Sequence, residues 1–285
     1  MKFKSTKQLK DWIKNKSKDY GTPANTLLQT YMMERLLERI SMSHYRNNIV
    51  LKGGFLISSM IGISKRSTKD MDTTMIGLPI SRDEIERIIK DVISIKLDDN
   101  VSFTIKSIEN IHEDGDYDDF RILFVATFLT IREFLQLDIT VGDAIIPCEI
   151  EYKYKLMFED REIPIMAYNL YTILAEKIGS ILSRNVSNSR GRDFYDTFIL
   201  ISLNRDVLLR DELLNAIRLK AIERNTLLFI ENYQTHLNDI SNSPEIAKIW
   251  TAYIKSYSYA EGISLSDSLS EIAWVFEPIG NKIQL

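Results

Sequence analysis

The chain carries one cysteine, Cys148, so no disulfide can close within it. With Pro147 beside it and no histidine or second thiol nearby, Cys148 reads as a small buried apolar residue, and an unpaired thiol fits a reducing cytoplasm. Positive charge is not in excess. The 36 Lys and Arg against 40 Asp and Glu leave a net charge of −4, which excludes a basic nucleic-acid coat protein and confines any RNA contact to a local patch. No run of about 18 apolar residues occurs, so no membrane-crossing helix is expected. The basic start, Met1 to Lys7, is not followed by the apolar core of a signal peptide. The histidines, His44, His112 and His236, are too scattered for a metal motif. There is no low-complexity tract and no internal repeat.

What is present is an ordinary globular composition, 45% hydrophobic and 27% charged, in a chain long enough for one large domain or two ordinary ones. Ser5 is placed to cap a helix to about Tyr20, closed by Gly21 and Pro23. A second helix is predicted from Ala24 to about Ser43 by Leu27, Leu28, Tyr31, Leu36 and Ile40. Ile49-Val50-Leu51 reads as a short buried strand, Phe55 to Ile61 as a short helix, and Met71 to Ile76 as a strand ended by Pro79. Ser81 to Glu84 is a capping box opening a helix to about Leu97, and strands follow at Val101–Ile108, Phe120–Leu129 and Phe134–Val141. The acidic stretch 112–119 mimics a calcium loop but has Asp119 where the glycine belongs and Val125 where the glutamate belongs, so it reads as a hairpin loop. From Asn169 the periodicity is helical: Tyr171–Leu182, Asp193–Leu203, Asp206–Lys220, Asn225–Leu237, Pro244–Ser256 and Ser266–Val275. The expected division is N-terminal helices (1–45), an α/β core (46–167) and an all-helical part (168–285), an α+β chain.

The chemistry gathers in the α/β core. Asp70 and Asp72 form Asp-x-Asp in a strand, so both point to one face, roughly 7 Å apart. Two anions there suit a cation such as Mg²⁺, which binds through one or two carboxylates plus substrate phosphates. Gly53 and Gly54, after Lys52, offer backbone N–H groups that a phosphate can approach. Asp138 lies inside the alternating run Phe134–Val141, where a lone charge is costly unless paired. If its strand neighbours the Asp-x-Asp strand, it joins Asp70 and Asp72 around metal and is the candidate base for an acceptor hydroxyl.

The ordered blocks Lys52-Gly53-Gly54, Arg66-x-Thr68-x-Asp70-Met71-Asp72, Leu137-Asp138-Ile139 with Gly142-Asp143, Leu174-Ala175-Glu176-Lys177, and Arg190-x-Arg192-Asp193-x-x-Asp196 resemble the AbiEii/AbiGii toxin family over residues 48 to 200. These are nucleotidyltransferase-fold toxins of bacterial toxin–antitoxin and phage abortive-infection systems. The resemblance implies a nucleotidyltransferase-like mixed β-sheet with flanking helices, then a helical half, with NTP and Mg²⁺ (or Mn²⁺) in a cleft. It implies that Asp70, Asp72 and Asp138 ligate metal and that Gly53, Gly54 and Thr68 border the triphosphate with Lys52. Lys177 would neutralise phosphate, and Asp193 and Asp196 would complete the site. Apart from the resemblance, Arg184, Arg190 and Arg192 form a basic cluster around a loop that is expected to meet RNA phosphates. The expected reaction moves a nucleoside monophosphate to an acceptor hydroxyl, the tRNA 3′ end, blocking translation in the cytoplasm. A cognate antitoxin is implied, often a winged-helix DNA-binding regulator. The segment between Gly54 and Asp70 is longer than in the commonest nucleotidyltransferase spacing.

Each residue also has a plainer reading. Gly53-Gly54 is then a tight turn, Asp70 and Asp72 pair with Arg66 and Lys69, and Asp138 is a buried acid held by backbone donors. Lys177 is then a solvated helix residue, Asp193 a helix cap, and Asp196 a partner of Arg192. The arginine cluster then belongs to a solvated loop, and Tyr253, Tyr257 and Tyr259 with Trp250 and Trp274 are helix packing. Two other functions remain open: an NTP- or GTP-binding toxin that sequesters a partner without catalysis, and an enzyme that modifies protein hydroxyls.

Overall fold

The computed structural model of the chain describes residues 3–78, 81–111 and 119–277. Pro79, and residues 112–118 of the acidic stretch with His112, lie outside them. Within the described residues the chain divides into two compact units, one holding residues up to Asp143 with Glu149–Tyr168, the other Ala144–Cys148 with the residues from Asn169 on.

The first unit opens with α1 (Thr6–Tyr20) and α2 (Ala24–Met42). Ser5 Oγ accepts from Gln8 N, and Gly21 at φ +62° turns the chain out of α1. Then come β1 (Ile49–Lys52), α3 (Gly53–Ile61), β2 (Asp70–Met75), α4 (Arg82–Ser94), β3 (Val101–Asn110), β4 (Phe120–Phe128), β5 (Ile131–Val141), β6 (Ile150–Lys155) and β7 (Glu162–Ala167). The strands form one mixed sheet in the order β3-β4-β5-β2-β1-β7-β6. β2 runs parallel to β5 and β1 parallel to β7, and the other neighbours are antiparallel.

Period-two alternation gives the sheet two unlike faces. Phe120, Ile122, Phe124, Met71, Leu137 and Ile139 are fully buried on one of them. Tyr31 of α2 covers that face, its ring edge-on to Phe128 at 6.5 Å. α2 is buried nearly all round, with Glu34, Arg35, Glu38 and Arg39 among its buried residues, and the other face of β2 and β5 carries Asp70, Asp72, Gln136, Asp138 and Thr140.

Two strands were not expected from the sequence, β6 and β7. Pro164 sits within β7 and cannot donate to a ladder, a signal against a strand. It is tolerated because β7 meets β1 only at Met166 and Ala167, beyond the proline. The second unit is helical: α5 (Leu170–Arg184), α6 (Gly191–Asn204), α7 (Arg210–Glu223), α8 (Leu227–Glu231), α9 (Tyr233–Asn242), α10 (Pro244–Ser256) and α11 (Leu265–Phe276). The single helix expected over 225–237 is two, α8 and α9, meeting at Asn232. No described helix is long and apolar enough to cross a membrane. Cys148, expected to be buried, is exposed. It belongs to the short segment after β5, whose backbone is tied down by Asn169 Nδ2 donating to the Cys148 carbonyl at 2.7 Å.

Candidate active site

The register of four strands sets a row of charges across the polar face. Lys52 on β1 stands opposite Asp72 on β2, Asp72 opposite Asp138 on β5, and Asp138 opposite Arg121 on β4. Asp70 and Gln136 form a second row, one pleat along. The two carboxylates of the Asp-x-Asp motif therefore share a face with the third, as their spacing implies. Asp72 and Asp138 on neighbouring strands about 5 Å apart would repel by about 3 kcal/mol at an effective dielectric near 20. Each end of the row carries a cation, which offsets that cost.

The cations are committed to particular partners. Arg121 donates from Nε to Asp138 Oδ1 at 3.0 Å and from Nη2 to Oδ2 at 2.8 Å, a bidentate fork. Gln136 Nε2 lies 3.2 Å from both Asp138 oxygens. This bond to Asp138 is the main reason the Arg121 guanidinium is held above its ordinary pKa, burial opposing it and the Asp138 and Asp70 charges adding to it. Lys52 Nζ donates to Asp143 Oδ2 at 2.5 Å and to Thr140 Oγ1 at 2.6 Å, and Tyr168 OH also reaches Asp143. Lys52, expected at the triphosphate, is thus buried in a network with Asp143, and Asp138 is held from the β4 side.

The glycine pair begins α3 and does not form a separate turn before it. Gly53 and Gly54 are the first two residues of the helix, and Lys52 at its N-cap makes no side-chain capping bond. Their N–H groups are the helix-start donors that favour an anion. Gly53 has φ +66°, and a Cβ there would lie 2.0 Å from Asp72 Oδ2, so the Asp72 carboxylate occupies the space a side chain would need. A Cβ on Gly54 would meet Arg66 Nη2 at 2.9 Å and Thr68 Oγ1 at 3.1 Å. The Thr68 hydroxyl donates to Asp70 Oδ1. Gly53, Gly54, Thr68, Asp70 and Asp72 are therefore one cluster at the β1–α3 junction.

Hard carboxylate oxygens from Asp70 and Asp72 on one face fit a divalent cation that takes few protein ligands. The expected three-carboxylate metal set is not assembled here. Among the described residues no group of three or more His, Cys, Asp or Glu is arranged to hold a metal, and both Asp138 oxygens are taken by Arg121 and Gln136.

In the helical unit Lys177 Nζ sits 2.7 Å from Asp193 Oδ1 and 3.0 Å from Asp196 Oδ2, with both aspartates buried. Asp193 is thus an ion-pair partner, not a cap, and Asp196 turns to Lys177 and not to Arg192. The i, i+3 spacing on α6 puts both carboxylates on one face, against Lys177 from α5. Arg184, Arg190 and Arg192 are exposed around the end of α5 and the start of α6. Tyr253 and Tyr259 pack with Tyr195, ring centroids 6.0 and 5.0 Å away, which supports the packing reading of the tyrosines.

Arg121 is the functional candidate that sequence reading missed. An arginine inside an alternating strand carries no motif, and only the β4–β5 register shows that it faces Asp138.

The chain is similar in structure to JHP933 from Helicobacter pylori, at 14% identity over 88% of this chain and 89% of that one, TM-score 0.48. It is also similar to an antigenic nucleotidyltransferase-like protein from Paracoccidioides brasiliensis, at 15% identity over 70% and 89%, TM-score 0.39. No curated protein sequence matches it. The model of the family described as nucleotidyl transferase AbiEii toxin, type IV TA system, matches residues 35–277, which take in β1, the Asp-x-Asp strand, Asp138 and the Lys177 triad, and the chain belongs to that family.

Proposed function

We propose that this nucleotidyltransferase moves a nucleoside monophosphate from an NTP to a hydroxyl at the 3′ end of tRNA, and that the loss of usable tRNA arrests translation in a cell answering phage infection. The observation that carries the reading is the cluster at the β1–α3 junction. Asp70 and Asp72 lie in register on one face, and Asp72 leans over Gly53 at the open N-terminus of α3.

In this reading Asp70 and Asp72 hold Mg²⁺ or Mn²⁺. When bound, the cation stabilises charge on the triphosphate and the leaving pyrophosphate. The N–H groups of Gly53 and Gly54 and the Thr68 hydroxyl orient phosphate oxygens. The acceptor oxygen forms a bond to the α-phosphorus as the α–β bond breaks and pyrophosphate departs. Asp138 takes the hydroxyl proton. Lys52 keeps the row in register through Asp143. In the helical unit Lys177 is our candidate for a phosphate contact, made in exchange for one of its two aspartate partners, and the exposed Arg184, Arg190 and Arg192 meet RNA. The family pairs toxin with antitoxin. A winged-helix DNA-binding regulator is our candidate for that antitoxin.

The test is transfer of label from each α-³²P-NTP, with Mg²⁺, into total cellular RNA by the wild type and Asp70→Ala. A tRNA-sized labelled band, lost by at least about a hundredfold in the variant, is expected. No label from any NTP, with toxicity surviving loss of all three carboxylates, would instead favour sequestration. Label in protein would identify a protein hydroxyl as the acceptor.

A further inference from the structure

Asp138 has a choice of two neighbours. In the row Lys52, Asp72, Asp138, Arg121 it stands one strand from Asp72 on one side and one strand from Arg121 on the other. Its carboxylate is turned to Arg121, with two charge-assisted bonds of 3.0 and 2.8 Å and two more from Gln136 at 3.2 Å. A carboxylate so occupied has no lone pair well placed for a metal beside Asp70 and Asp72, and none for a substrate proton.

The two partners differ in freedom. The Asp138 side chain is 14% exposed and that of Arg121 40%. Arg121 is the half that can leave, and a guanidinium fork fits phosphate oxygens as well as it fits a carboxylate. Among the described residues, Arg121 is the cation that pairs with Asp138.

We propose that Arg121 is a positioning residue that holds Asp138 away from the Asp70–Asp72 pair until the triphosphate of an incoming nucleotide takes the guanidinium, so that the third carboxylate becomes available only when substrate is present. The inference rests on the nucleotidyltransfer reading above and adds to it the order of events: phosphate binds, Arg121 moves to it, Asp138 turns toward β2. It also gives Arg121 two jobs, masking a carboxylate in the free protein and binding phosphate in the complex. In the nucleotide-free protein the metal site is then two carboxylates strong, and the third joins it only once nucleotide is bound.

The experiment is a Mn²⁺ titration of the full chain without nucleotide, read from the free-Mn²⁺ electron paramagnetic resonance signal. It compares wild type, Arg121→Gln, Asp138→Asn, the double variant and Asp70→Ala, each shown folded by thermal melting. Arg121→Gln is expected to bind Mn²⁺ about tenfold more tightly, because a third carboxylate joins the site and a cation leaves it. In the Asp138→Asn background the same change is expected to gain about threefold or less, the residual effect of charge alone. In steady-state transfer Arg121→Gln is expected to raise KM for NTP by about tenfold or more with a smaller change in kcat, since the lost phosphate contact precedes chemistry. Unchanged or weaker Mn²⁺ binding in Arg121→Gln, or an equal gain with and without Asp138, while Asp70→Ala still loses Mn²⁺, overturns the role of Arg121 and leaves the transferase reading in place. Mn²⁺ binding that is indifferent to Asp70→Ala overturns both.

Discussion

Asp138 in the sheet unit and Lys177 in the helical unit are each gripped by opposite charge, but the two units bury the grip to different depths. Asp138 is held by a half-exposed Arg121, whereas Lys177 is held by Asp193 and Asp196, whose side chains are 4% and 0% exposed. An exposed partner can be exchanged for a ligand at little cost, because water waits on its far side. A buried pair cannot be opened without stranding a charge. The sheet unit therefore carries an adjustable ion pair and the helical unit a fixed one. A third arrangement, in α2, shows what happens without a close partner. Glu34 is fully buried, accepts from Met157 N at 2.7 Å, and has its nearest guanidinium, Arg35, at 3.9 Å. Burial pushes its pKa up to about 8 despite that bond and the Arg35 charge.

The largest effect should come from the buried grip. Lys177→Met leaves Asp193 and Asp196 facing one another without their shared cation, and should lower unfolding free energy by about 3–5 kcal/mol in urea denaturation. A loss below about 1 kcal/mol would show that the triad is as adjustable as the Arg121 fork and would erase the contrast between the units.

Next is Glu34. Its folded pKa lies above its unfolded one, so between about pH 4.5 and 8 the folded chain binds the extra proton and stability falls as pH rises. Below that window the carboxyl is neutral in both states, and above it the whole penalty is present. Glu34→Gln should remove a slope of up to about 1.4 kcal/mol per pH unit, so that by pH 8 it is more stable than wild type by about 2 kcal/mol or more. Denaturation midpoints for both proteins across pH 5 to 9 measure it. Parallel pH profiles would mean that the Met157 N–H and the Arg35 charge keep Glu34 ionised throughout.

How much of this was legible before the structure depends on which physical signal each part uses. Asp70, Asp72 and Asp138 were visible because a charge at a half-buried strand position breaks an apolar alternation, and the parallel pairing of β2 with β5 brings them to one face as that reading required. The helices were visible through caps such as Ser5 and Ser81, whose bonds are local. β7 was not, because its proline argues against a strand and its partner β1 is over a hundred residues away in sequence. Arg121 was hidden for a related reason. Its meaning comes from a cross-strand neighbour seventeen residues on, and nothing in its local sequence announces one. The commitment of Lys52 to Asp143 and of Asp138 to Arg121 was likewise out of reach, since residue type fixes what can pair but only register fixes what does.

The smallest expected change in stability falls at Gly53, and it separates fold from chemistry in the sheet unit. Gly53→Ala meets two obstacles: a left-handed backbone at φ +66°, costing about 1 kcal/mol, and a Cβ placed 2.0 Å from Asp72 Oδ2. The Asp72 carboxylate can turn aside, but its Cβ, 2.8 Å from the added methyl, moves only with the strand, so the melting point should fall by several degrees, on the order of 2 kcal/mol. A carboxylate moved by about 1 Å is enough to cost about a hundredfold in transfer from α-³²P-NTP. Near-normal transfer in a folded Gly53→Ala protein would mean that Asp72 works in more than one position, and the tight packing of the glycine against the Asp-x-Asp strand would then serve the fold alone.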